Sequence, residues 1–144
     1  MEASKRILLV DDEEEFLYSA ELALKVAGYN VHACANPEEA ICWVIRAAEE
    51  DDPFGLLVTD LRMPGMSGVE LVEELRKRKI TLMVLAITSF CEIAQMRDMN
   101  CGRGADHLQK PFGPGELVER IGRIFARGIS GAKPEEGLDN AGFP

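Results

Sequence analysis

The sequence predicts an α/β fold, a doubly wound parallel sheet of five strands flanked by five helices. Three observations carry that prediction. Short apolar runs alternate with segments of helical period through most of the chain. The alternation is strict, which calls for crossover helices between parallel strands. The run Leu82 to Ile87 is apolar throughout, as a strand covered on both faces should be. With 144 residues, 47% apolar and 28% charged, the chain has the size and balance of one ordinary globular domain.

The elements follow in order. Arg6 to Val10 is a strand, β-branched at Ile7 and Val10. From Glu14 to Ala27 the period changes, and Phe16, Leu17, Ala20 and Leu24 share a helical face until Gly28 supplies the stop. Asn30 to Ala33 is a brief strand. Asn36 caps the next helix, with Pro37 in its first turn and Glu38 and Glu39 near its positive end. Ile41, Val44, Ile45 and Ala48 form its apolar stripe. Gly55 to Thr59 is the third strand, and Asp60 ends it. Pro64, Gly65 and Gly68 mark a loop, and Ser67 with Glu70 makes a capping box for a helix carrying Leu71, Val72 and Leu75. The fourth strand, Leu82 to Ile87, ends at Thr88. A weaker helix covers about 91–100. Ala105 to Leu108 is the fifth strand, ending near Lys110-Pro111. Pro114 opens the last helix, with Leu117, Val118, Ile121, Ile124 and Phe125 inward. Residues 128–144 break the pattern with four glycines and two prolines and read as a flexible tail or a truncated linker.

Composition excludes several functions. Sixteen basic against 25 acidic residues give a net charge of -9. That disfavours direct nucleic-acid binding and anionic membrane surfaces. The longest apolar run is far too short to span a bilayer. The start, Lys5-Arg6 and then Ile7 to Val10, meets Asp11-Asp12 at once, so it lacks the core and cleavage site of a secretion signal. Cys34, Cys42, Cys91 and Cys101 form no C-x-x-C pair, and His32 and His107 are too far along the chain to complete a zinc site. They read as small, mostly buried thiols of a reducing cytoplasm.

In open parallel sheets, ligands bind at the carboxyl ends of the strands. Here those ends carry Asp11-Asp12 with Glu13 next, then Asp60, Thr88-Ser89 and Lys110. Side by side, these strands would bring the residues to one spot. Two carboxylates about 5 Å apart repel by roughly 3 kcal/mol at an effective dielectric near 20. Either a proton or cations must offset this. Lys110 supplies one charge. A hard divalent ion on oxygen ligands, Mg²⁺ above all, would supply two more. Such an assembly suits a phosphoryl group, with Thr88 as hydrogen-bond donor and a carboxylate as nucleophile. Taken singly, an Asp pair after a strand is often a polar turn, and a Lys-Pro is often only a loop.

Residues 5–127 resemble a receiver domain of two-component response regulators, the CheY-like fold, with strand order 2-1-3-4-5. The residues that carry the resemblance are Ile7 to Glu13, Asp60 to Gly68, Thr88, and Lys110-Pro111-Phe112. It implies that Asp60 accepts a phosphoryl group from a sensor histidine kinase or phosphotransfer protein. It implies Mg²⁺, or Mn²⁺, on Asp12 directly, on Asp11 often through water, on Asp60 and on the backbone carbonyl of Arg62. Lys110 would pair with the phosphoryl group, Ser89 would donate its amide, and Thr88 with His107 would form the switch. The Lys110-Pro111 bond is commonly cis in this family. The implied protein is a cytoplasmic regulator that catalyses only its own phosphoryl transfer and dephosphorylation. Its output is a changed surface of fourth helix, fifth strand and fifth helix, read by an effector protein or domain. Ile93, Met96 and Met99 could belong to that surface, and a phosphorylation-dependent homodimer through it is a family-level expectation.

Three positions depart from the common pattern. His107 stands where Tyr or Phe is usual, which adds a titratable ring or is merely a half-exposed strand histidine. Phe90 replaces a residue that is often polar, near the site entrance. The stretch Asn100 to Gly104 places Gly104-Ala105-Asp106 one residue nearer the lysine than is common. Two other classes stay open at this level. One is a receiver-like module acting through constitutive contacts, which the complete acidic set with Thr88 and Lys110 disfavours. The other is a metal-dependent hydrolase, disfavoured by Arg62 standing where aspartate-based phosphatases have a second acid.

Overall fold

The computed structural model describes residues 5–63, 65–80, 82–88 and 105–127. The described elements are β1 (Arg6–Val10), α1 (Glu14–Val26), β2 (Asn30–Cys34), α2 (Pro37–Glu49), β3 (Leu56–Asp60), α3 (Gly68–Lys77), β4 (Met83–Thr88), β5 (Ala105–Gln109) and α4 (Pro114–Arg127). The helix expected over 91–100 lies outside the described residues, so α4 is the helix expected fifth. The strands form one parallel sheet in the order β2-β1-β3-β4-β5, as expected. The chain reverses direction across the sheet between β1 and β3, which makes their carboxyl ends a topological switch point.

Strand alternation builds two cores. In β1, Leu8 and Val10 join Leu57, Val84 and Ala86 on one face, against Ala40, Val44 and Ala47 of α2 and Leu71 and Leu75 of α3. Ile7 and Leu9 join Leu56, Val58, Leu85 and Ile87 on the other, against Ala20 and Leu24 of α1 and Leu117, Ile121 and Ile124 of α4. A fully buried side chain of this kind contributes about 1.5–3 kcal/mol. The inward faces of α1, α3 and α4 match the expected ones. The face of α2 matches in part: Val44 is buried and Ile41 packs half-buried on the core as expected, but Pro37, Ala40 and Ala47 are the other buried residues, Ile45 is half-buried and Ala48 is exposed.

The helix ends follow the expected chemistry. Asn36 Oδ1 accepts from the Glu39 amide at 2.8 Å. The capping box is complete: Ser67 Oγ accepts from the Glu70 amide at 3.1 Å, and Glu70 Oε1 accepts from the Ser67 amide at 2.9 Å. After α1, Gly28 takes φ +100°. Its amide donates to Lys25, and that of Tyr29 donates to Leu24, the Schellman ending that favours glycine there. At the β2 edge, the His32 ring lies against Trp43 of α2, tilted by 44° with ring centroids 3.7 Å apart, and the Arg46 guanidinium lies 5.4 Å from the Trp43 ring. Cys34 is buried, but Cys42 is exposed, which corrects the expectation for that thiol: it falls on the outer side of α2. Cys91 and Cys101 lie outside the described residues.

Candidate functional site

The register of the sheet assembles the site. Val10 pairs with Thr59, so Asp11 and Asp60 follow as neighbours on adjacent strands. Asp60 pairs with Ile87, which puts Thr88 one step further along β4. Thr88 pairs with Gln109, and the Lys110 amide donates to the Thr88 carbonyl at 2.7 Å. Four strand ends thus deliver Asp11, Asp60, Thr88 and Lys110 to one place.

Lys110 Nζ lies 3.4 Å from Asp60 Oδ2, 3.5 Å from Glu13 Oε1 and 3.8 Å from Asp11 Oδ2. Oxygens of Asp11, Asp12 and Asp60 lie within 4.8 Å of one another. Asp11 is 0% exposed, Asp60 8%, and Asp12 is exposed. Asp11 Oδ1 accepts from the Glu13 amide at 2.9 Å, whereas its Oδ2 is buried with no hydrogen-bond partner among the described residues. Burial pushes the Asp11 carboxyl up to about 6; the Glu13 amide and Lys110 pull it down, and the charges of Asp60 and Asp12 push it up. Burial alone would lower Lys110, but Asp11, Asp60 and Glu13 outweigh it and hold the ammonium above its ordinary range.

The donor set fits a hard divalent cation. Three carboxylates converge, one of them with a buried oxygen that accepts no hydrogen bond among the described residues, and the Lys110 ammonium offsets them in part. Oxygen-only ligation of this kind suits Mg²⁺ or Mn²⁺. The Arg62 amide donates to Asp60 Oδ1 at 3.0 Å, so the residue expected to offer its carbonyl is already tied to the acceptor. Thr88 is 0% exposed, and its Oγ1 has no hydrogen-bond partner among the described residues. A buried hydroxyl without a partner costs stability unless some state of the protein supplies one.

The loop after β3 is held by a close approach. The Gly68 amide donates to the Leu61 carbonyl at 3.1 Å. A Cβ on Gly68 would stand 2.3 Å from the Asp60 carbonyl oxygen and 2.9 Å from Leu61 Cα. Only glycine lets α3 start this near the acceptor. Pro64 lies outside the described residues; Gly65 takes φ +83°.

The Lys110-Pro111 bond is cis. His107, the expected switch residue, sits half-buried on edge strand β5, and its carbonyl accepts from Arg120 Nη1 of α4. Ser89, Phe90, the stretch Asn100 to Gly104, and Ile93, Met96 and Met99 lie outside the described residues. Two contacts of Lys110 escaped the sequence reading. Glu13 is named there beside the Asp pair, but not as a partner of Lys110. Phe16 reads as an ordinary core position, yet Lys110 Nζ lies 5.2 Å from its ring centroid. Phe16 also meets Phe112 edge-on, centroids 5.7 Å apart.

Comparison with known proteins agrees with this geometry. A sequence model of the Response regulator receiver domain matches residues 7–122. The response regulator receiver protein CpdR of Brucella abortus (strain 2308) is 34% identical over 121 residues, 84% of this chain and 97% of CpdR. The alkaline phosphatase synthesis transcriptional regulatory protein PhoP of Bacillus subtilis (strain 168) is 31% identical over 134 residues, 92% of this chain and 53% of PhoP. The chain therefore spans about half the length of PhoP, as it does of several other transcriptional regulators it matches. A crystal structure of FixJ-N superposes with a TM-score of 0.71 at 30% identity, covering 88% of this chain and 97% of that one. A CheY-like receiver domain protein from Methanospirillum hungatei JF-1 gives the same TM-score at 28% identity, with the same coverage.

Proposed function

The chain belongs to the response regulator receiver domain family, and from that premise we propose that it is a phosphoacceptor switch in which Asp60 receives the phosphoryl group. The donor is a phosphohistidine of a sensor histidine kinase or phosphotransfer protein. A carboxylate oxygen of Asp60 attacks phosphorus in line, the N–P bond breaks, and an acyl phosphate forms as the imidazole leaves. Lys110 pairs with the phosphoryl oxygens, and the amide of Ser89 donates to them. Mg²⁺ (or Mn²⁺), when held by Asp11, Asp12, Asp60 and the Arg62 carbonyl, neutralises charge on those oxygens. The same site hydrolyses its own acyl phosphate, and no other substrate is turned over.

The observation that carries this reading is the convergence of Asp11, Asp60 and Lys110 beside the unpartnered hydroxyl of Thr88. Thr88 finds its partner in the phosphoryl group, His107 turns inward, and the surface of residues 91–100, β5 and α4 changes. An effector protein or domain reads that surface, and a homodimer through it is part of the reading. The receiver unit is 5–127, with 128–144 a tail or linker. Among the described residues no helix is long and apolar enough to cross a membrane, and the acidic charge and cysteine usage favour the cytoplasm.

The test is intact mass after incubation with a small phosphodonor and Mg²⁺. The wild type should gain one phosphoryl group. The gain should vanish with EDTA and in Asp60→Asn. No gain from any small donor or from a cognate kinase would favour a module acting through constitutive contacts.

A further inference from the structure

We propose that Phe16 is a positioning residue for Lys110, holding the ammonium over Asp60 during phosphoryl transfer; this rests on reading Asp60 as the acceptor. Lysine is a long, flexible side chain with a point charge, so its position is only as good as its walls. Three acids surround Nζ here, and they do not pull the same way. Asp60 and Asp11 draw it into the site, at 3.4 and 3.8 Å, while the exposed Glu13 draws it towards solvent at 3.5 Å. Phe16 supplies an apolar wall. Its ring centroid, 5.2 Å from Nζ, is within range for attraction between a cation and an aromatic face.

The ring is itself fixed. It packs on the core face built by Ile7, Leu9 and Leu117 and takes the edge of Phe112 at an interplanar angle of 84°. Phe112 lies two residues beyond Lys110, so the segment carrying the lysine and the first turn of α1 are clamped together at this point. On this reading Phe16 acts through Lys110. Its loss would let the ammonium spend more time with Glu13 or water. The rate of transfer would fall while donor binding stayed as it was.

The experiment measures phosphoryl uptake by the full chain from acetyl phosphate with Mg²⁺, by intact mass, across donor concentrations. Phe16→Leu keeps apolar bulk but removes the aromatic face. It should lower the limiting rate about two- to fivefold without moving the half-saturating donor concentration. Phe16→Tyr keeps the face and should retain the wild-type rate. In a Lys110→Met background, Phe16→Leu should have no further effect. Phe16→Met replaces Phe16→Leu should the latter melt at lower temperature than Phe16→Tyr. A wild-type rate in the ring-free variant, equal losses in the Leu and Tyr variants, or an undiminished loss without Lys110 would each overturn the proposal. A wild type that takes up nothing from acetyl phosphate or from a cognate kinase would instead overturn the reading of Asp60, and Phe16's role with it.

Discussion

Gly68→Ala tests how the acceptor is held. The added methyl would lie 2.3 Å from the Asp60 carbonyl oxygen and 2.9 Å from Leu61 Cα. Carbon and carbonyl oxygen ordinarily approach to about 3.3 Å, so the end of β3 and the start of α3 must part by about 1 Å. Both neighbours are backbone, and no rotamer change can absorb the clash. Overpacking costs about 1–3 kcal/mol, and rigid walls on both sides put this case near about 3 kcal/mol. With a denaturant slope of about 2 kcal/mol per molar urea, the unfolding midpoint should drop by about 1.5 M. The displaced oxygen belongs to the acceptor residue, and misplacement by about 1 Å can slow a reaction up to about a hundredfold. Urea denaturation followed by circular dichroism gives the first quantity, and intact mass with a small phosphodonor gives the second. An unchanged midpoint together with wild-type uptake would refute the close-approach reasoning.

Three further outcomes follow from buried groups. The folded Asp11 carboxyl sits at about 6 against an ordinary 3.8, so it binds its proton more tightly folded than unfolded. Its contribution to metal-free stability is therefore best below the ordinary value and declines as pH rises towards the folded one, by about 3 kcal/mol in all. In EDTA, Asp11→Asn should be more stable than wild type at pH 7.5 and lose that advantage at acid pH, as read from urea midpoints; an equal midpoint at pH 7.5 would contradict this. Thr88→Val removes a buried hydroxyl that has no partner among the described residues and should stabilise the unphosphorylated chain by about 1 kcal/mol; a lower midpoint would show that the hydroxyl is satisfied. Burial, aided by the charge of Glu39, pushes the Cys34 thiol up to about 12. Native-state alkylation mapped by peptide mass should modify Cys42 and spare Cys34 until the chain unfolds.

Much of this was legible in the sequence, for identifiable reasons. Strands that end in Asp11, Asp60, Thr88 and Lys110 announce their positions locally, because parallel topology then brings carboxyl ends together without further information. Asn36 and the Ser67–Glu70 pair are equally local, since capping needs only neighbours three residues apart. What stayed hidden depends on distances between segments. Gly68 looks like a loop glycine until α3 is docked on β3. Phe16 looks like core until Lys110 is placed beside its ring. The stripe on α2 was right at Val44 and Ile41 but missed Ala40 and Ala47, because hydrophobicity favours isoleucine over the small residues that are in fact buried. The raised carboxyl of Asp11 is a property of burial, which no short motif encodes.

The contact of His32 with Trp43 has an optical consequence. Trp43 is the single tryptophan of the chain, and it sits against β2, at the opposite rim of the sheet from β5 and Lys110. Burial, and then the charge of Arg6, hold the His32 imidazole below its ordinary range, so the ring against the indole is uncharged at neutral pH. Intrinsic fluorescence will follow global unfolding faithfully and stay nearly silent to rearrangement around His107. A dye placed near β5 would report that rearrangement, with the indole as its internal reference.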